Sequence, residues 1–161
     1  MTARWAYRVG QVRSAHRARM SDRDRAEAFS HLGPELGGLF LRMAVRDQQH
    51  ALRVLRRLDG PGPLLCQAAL LHDVGKAEAP LGTVGRSLVV LAGATRTCRL
   101  LRRLPMVGGR FNRYLRHAEI GAEMLRSAGA NPDLVEIVAE HEALLPAHPE
   151  TALLQAVDEH Q

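Results

Sequence analysis

The sequence predicts an all-α fold. Apolar residues recur at steps of three, four and seven between proline and glycine breaks, the period of helices that bury one face. Six histidine and aspartate residues, His50, His72, Asp73, His117, His141 and Asp158, fall on five such stretches, mostly on the apolar side. They point toward one interior. A chain of 161 residues is long enough to bury a core and suits one domain, here residues 21–161 behind a basic arm at 1–20.

The arm holds Arg4, Arg8, Arg13, Arg17 and Arg19 among apolar residues that keep no sustained period. Ser21 can cap a helix through Ala26 and Phe29 to His31. Pro34 then opens a long helix to about Leu58, stopped by Gly60-Pro61-Gly62-Pro63. Its stripe of Leu36, Leu39, Met43, His50, Val54 and Leu58 turns His50 inward. A helix from Leu64 to about Val74 delivers His72 and Asp73 at its last turn. Gly75 can end it, and Lys76, the chain's only lysine, then leaves as a point charge suited to phosphate.

Pro80, Gly82 and Gly85 mark a loop, after which Ser87 could cap a helix reaching Leu104. That segment, 88–104, is apolar first and then carries Arg96, Arg99, Arg102 and Arg103. It could line an active-site entrance, form a dimer contact or lie on a membrane surface; a core helix with solvated arginines is the plainer reading. His117 begins a helix closed by Gly129, and Asn131 caps the next, which Pro132 opens. There Leu134, Val138, His141 and Leu145 form the apolar stripe. Pro146 and Pro149 bracket a turn, and a last helix from Glu150 to Glu159 carries Leu154 and Asp158 on one face.

The formal charge of +5 is carried by arginine, clustered from Arg4 to Arg25 and from Arg86 to Arg116. Such clusters favour anionic substrates, but aromatic residues make up only 4% of the chain, which counts against a base-stacking platform and against nucleic acid as partner. Cys66 and Cys98 stand without a second pair, so neither a disulfide framework nor a thiolate zinc site is indicated. A reduced cytoplasm fits that usage. No apolar run has signal-peptide or bilayer-spanning length.

Four imidazoles with two carboxylates suit iron, manganese or zinc better than magnesium or calcium, which prefer oxygen shells. Six protein ligands exceed what one catalytic ion with open positions would use. Two ions about 3.5–4 Å apart, bridged by Asp73, would use them all.

Three stretches match a known pattern in the right order. They are Asp47-Gln48-Gln49-His50-Ala51-Leu52-Arg53-Val54, Leu71-His72-Asp73-Val74-Gly75-Lys76 and His117-Ala118-Glu119-Ile120-Gly121-Ala122-Glu123-Met124-Leu125. With His141 and Asp158 they resemble the HD superfamily of metal-dependent phosphohydrolases, over about residues 47–158. The resemblance implies an all-helical bundle with a five-helix core around the metals. It also implies hydrolysis of a phosphate ester, often in a nucleotide or dinucleotide, by metal-activated hydroxide, with Asp73 and Lys76 as catalytic residues. Lys76, Arg113 and Arg116 are the candidates to hold the phosphate. The chain departs from the HD-GYP branch, reading His141-Glu142-Ala143-Leu144-Leu145-Pro146 where that branch has a second histidine and a Gly-Tyr-Pro signature. Ala118 also stands where the branch commonly has proline. Two rival readings share the scaffold, a mixed-valence di-iron oxygenase and a nucleotide-binding regulatory module without turnover.

Overall fold

The computed structural model describes residues 20–78 and 113–158 of the chain, and among them every regular element is helical. The side chain of Ser21 accepts a hydrogen bond from the Asp24 amide (3.1 Å) and starts α1, Asp22–Arg42. Gly33 kinks α1, with a φ of 66° that glycine adopts at no steric cost, and Pro34 restarts the helical path. The two stretches expected on either side of this dipeptide are thus halves of one bent rod.

The helix expected from Pro34 to Leu58 is divided. α1 stops at Arg42, Met43 and Ala44 are extended, and α2 spans Val45–Leu55. Neither glycine nor proline marks the break. Gln48 explains it: its Nε2 donates to the carbonyls of Phe40 (3.2 Å), Leu41 (3.2 Å) and Met43 (2.9 Å), satisfying oxygens that a continuing helix would have bonded itself. α2 still buries Ala51, Leu52, Val54 and Leu55, which leaves His50 at the edge of the interior.

α3, Pro63–Leu71, is apolar nearly all round and is correspondingly the central element. It packs against α1, α2, and two later helices, α5 (Pro132–Glu140) and α6 (Pro149–Asp158). The helix expected to run to Val74 ends at Leu71, and a 3-10 turn covers Val74–Glu78. Gly75 lies inside that turn and does not end the helix. Its role is close approach to α4, His117–Ser127: a Cβ there would fall 1.9 Å from the His117 carbonyl oxygen and 2.6 Å from the Gly121 nitrogen.

Asn131 caps α5 through the Asp133 amide (2.8 Å). α5 ends at Glu140, so the stripe expected to reach Leu145 stops at His141, and Leu145 is 92% exposed. Phe40, Leu52, Leu70, Leu71, Leu125, Leu134, Ile137 and Leu154 fill the core between the helices. Among the described residues no helix is long and apolar enough to cross a membrane. Residues 1–19 of the basic arm, the helix expected at 88–104 and Cys98 lie outside the described residues, while Met20, the last residue of the arm, is buried in the core.

Candidate metal centre

The packing brings six side chains from five parts of the fold to one place. His50 comes from α2, His72 and Asp73 from the end of α3, His117 from the start of α4, His141 from just past α5 and Asp158 from the last turn of α6. They form two groups that could each hold a metal ion, His50 with His72 and Asp158, and Asp73 with His117 and His141.

The Nε2 atoms of His50 and His72 are 3.3 Å apart, and those of His117 and His141 are 3.1 Å apart. Asp73 stands between the pairs and is almost wholly buried. Its Oδ2 lies 3.6 Å from His72 Nε2 and 3.9 Å from His50 Nε2, while its Oδ1 lies 3.3 Å from His117 Nε2 and 3.8 Å from His141 Nε2. One carboxylate therefore offers an oxygen to each group.

Three of the imidazoles are oriented by the backbone. The Nδ1 atoms of His72, His117 and His141 lie 3.0, 2.8 and 2.7 Å from the carbonyl oxygens of Ala69, Tyr114 and Val138, each three residues earlier. A carbonyl only accepts, so each Nδ1 carries its hydrogen and each ring turns its Nε2 inward. Burial pushes the His72 imidazole below its usual pKa and that of His141 down to about 4, which keeps both neutral at physiological pH. The Nε2 atoms of His117 and His141 face each other across 3.1 Å. A metal ion between them would take a lone pair from each ring. Nitrogens on one first-row ion, at bonds of about 2.0–2.1 Å and angles from octahedral to tetrahedral, stand about 2.9–3.4 Å apart. Both imidazole pairs fall in that range. Asp158 Oδ1, 2.9 Å from His50 Nε2, completes the first group. The donor set fits a pair of transition metals.

Lys76 belongs to the same cluster. Its Nζ is 2.6 Å from both Asp73 oxygens and 5.8 Å from the centre of the Tyr114 ring. Burial would raise the Asp73 carboxyl, but it lies well below the usual carboxylate range, and the Lys76 ammonium against both of its oxygens helps to hold it there. Burial opposes the Lys76 charge too, and Asp73 more than offsets it. A carboxylate has about four lone-pair directions, enough for the ammonium and for a metal on each oxygen.

Arg113 and Arg116 are not drawn into the cluster in the same way. Both are exposed, and Arg116 donates to Glu119 (2.7 Å) on the outer face. The structure also brings in residues that sequence reasoning passed over. Tyr114 packs its ring 5.6 Å from that of His117, and Gln155 bonds the turn that follows His141. Tyr114 and Gln155 each lie three residues before a cluster residue, about one helical turn, the only trace of them in the sequence.

Residues 48–160 match the family model described as the HD domain. No curated protein and no solved structure matches the chain. That match takes in all six clustered side chains, and the chain belongs to the HD domain family, whose members are typically metal-dependent phosphohydrolases.

Proposed function

We propose that this protein hydrolyses a phosphate ester, of a nucleotide or dinucleotide, with two transition-metal ions, iron or manganese ahead of zinc. In this reading His50, His72 and Asp158 hold one ion, His117 and His141 hold the other, and Asp73 gives an oxygen to each. The observation that carries it is Asp73 standing between two imidazole pairs whose Nε2 atoms converge. Bound metals supply such a site with an activated water and with polarisation of the phosphoryl oxygens.

The chain's own residues do the rest. The carbonyls of Ala69, Tyr114 and Val138 fix the ring tautomers, so the donors are set before any ligand arrives. His72, Asp73, His117 and His141 form a buried floor, where charges interact more strongly than in water. His50 and Asp158 are partly open, and the substrate enters from their side. Lys76 keeps Asp73 ionised and offsets negative charge gathering on the phosphate. Arg113 and Arg116 are the arms that reach the distal part of the ester. The reading places the protein in the reducing cytoplasm, where the buried free thiol of Cys66 stays reduced.

Elemental analysis of protein purified without oxygen, beside an Asp73→Ala control, tests the site. About two ions per chain in the native protein, lost in the variant, are expected. Release of p-nitrophenol from bis(p-nitrophenyl) phosphate, or of phosphate from a nucleotide panel, is expected to disappear with them. Oxygen consumption without phosphoester cleavage would replace this reading by the oxygenase. Nucleotide binding by a chain that takes up no metal would replace it by the regulatory module.

A further inference from the structure

The two donor groups are unequal. The first can draw on His50, His72, Asp158 and Asp73 Oδ2, whereas the second has His117, His141 and Asp73 Oδ1. Glu142 stands beside the poorer one. Its Oε1 is 3.7 Å from His117 Nε2, against 3.3 Å for Asp73 Oδ1 from the same nitrogen. The other donors there are buried, but the Glu142 side chain is 56% exposed.

The backbone around Glu142 is held on both sides. Gln155 Nε2 donates to the carbonyl before it, on His141 (3.0 Å), and to the carbonyl after it, on Ala143 (2.8 Å). Farther along the turn, Glu140 Oε2 accepts from the amides of Ala147 (2.8 Å) and His148 (3.2 Å). The turn from His141 to His148 is therefore tied at each end, one tie reaching α6 less than a helical turn before Asp158. A carboxylate on so constrained a backbone has a restricted reach, and here it reaches His117.

We propose that Glu142 is a further ligand residue, completing the second metal position as its exposed and exchangeable donor, and that Gln155 is the positioning residue for it. The inference rests on the two-metal reading above. An exposed carboxylate on one ion is the donor that a phosphate oxygen can displace while the buried imidazoles stay in place. The ligand set thus offers a coordination place to an incoming ester without losing its hold on the ion.

Titration of the full-length protein with Mn²⁺ tests this, read by bound metal after equilibrium dialysis and by far-ultraviolet circular dichroism. The native protein takes up two ions. Glu142→Ala and the isosteric Glu142→Gln keep the first at native affinity and bind the second about tenfold or more weakly, with helicity intact. Gln155→Leu moves the second affinity the same way by a smaller factor, within the roughly 10- to 100-fold range of groups that orient ligands. A second ion held as tightly by Glu142→Gln as by the native chain overturns the proposal and leaves the two-metal reading standing. Fewer than two ions on the native chain sinks that reading, and this inference with it.

Discussion

Asp73 is the residue on which both halves of the centre depend. It faces four histidines and Lys76 at once, and the fold keeps it ionised although nearly all of its surface is buried. The doublet it forms with His72 was legible in the sequence because adjacency in the chain needs no tertiary knowledge. Gly75, two residues on, was legible only as a glycine, because its reason lies on α4. With 1.9 Å between a notional Cβ and the His117 carbonyl oxygen, Gly75→Ala forces α4 away from the 3-10 turn. The displaced atoms are backbone, so no side-chain rotation relieves the clash. Its expected cost is about 3 kcal/mol or more, at the upper end of overpacking. Urea unfolding of the metal-free protein measures it, and a loss below about 1 kcal/mol would mean that the turn and α4 are not in such close contact.

Element boundaries divide by how local their causes are. The caps at Ser21 and Asn131 and the start at Pro132 could be read because a side chain two or three residues away, or a missing amide, decides them. The break at Met43 and Ala44 could not, since Gln48 makes it from the next helix and leaves no glycine or proline behind. The packing of α1 against the end of α2 was equally hidden. Arg56 bonds Glu27 (3.1 Å) and also Asp24, tying the first half of α1 to the residue just past α2. Hydrogen bonding to Arg56 holds Asp24 and Glu27 below their ordinary values of 3.8 and 4.5. Carboxyls depressed on folding contribute stability that is present above those ordinary values and is lost as pH falls through the lower, folded ones. All three side chains are partly exposed, so Arg56→Met is expected to cost only about 1 kcal/mol at pH 7. The gap to the native protein stays level above about pH 5 and closes below pH 3.8. Chemical denaturation of both proteins across that range checks it, and a gap that widened on acidification would contradict the assignment.

At the scale of the whole molecule, the six clustered side chains come from parts of the chain that contact one another through α3 and the core. Their order along the sequence was readable because each sits on or beside an apolar stripe. Two sets about Asp73 were readable as well, but which histidines share a set was not, because that depends on how five helices cross. In the metal-free chain, pairs of imidazole nitrogens converge at 3.1 and 3.3 Å, held there by the packing of α2, α3, α4 and α5. Metal bound as proposed would join all of those elements, with α6 through Asp158. An ion that binds the folded state alone adds RT ln(1 + [L]/Kd), about 2.7 kcal/mol for each site at a hundredfold excess over Kd. For a chain of 161 residues each kcal/mol moves Tm by about 2–4 °C. Two filled sites should therefore raise Tm by about 10 °C or more over chelator-treated protein, and Asp73→Ala should respond far less because it loses the shared oxygen. Scanning calorimetry with and without Mn²⁺ reads both proteins. A native Tm that does not move while two ions are bound would mean that the ions also bind the unfolded chain, and that helical packing alone holds the donors together.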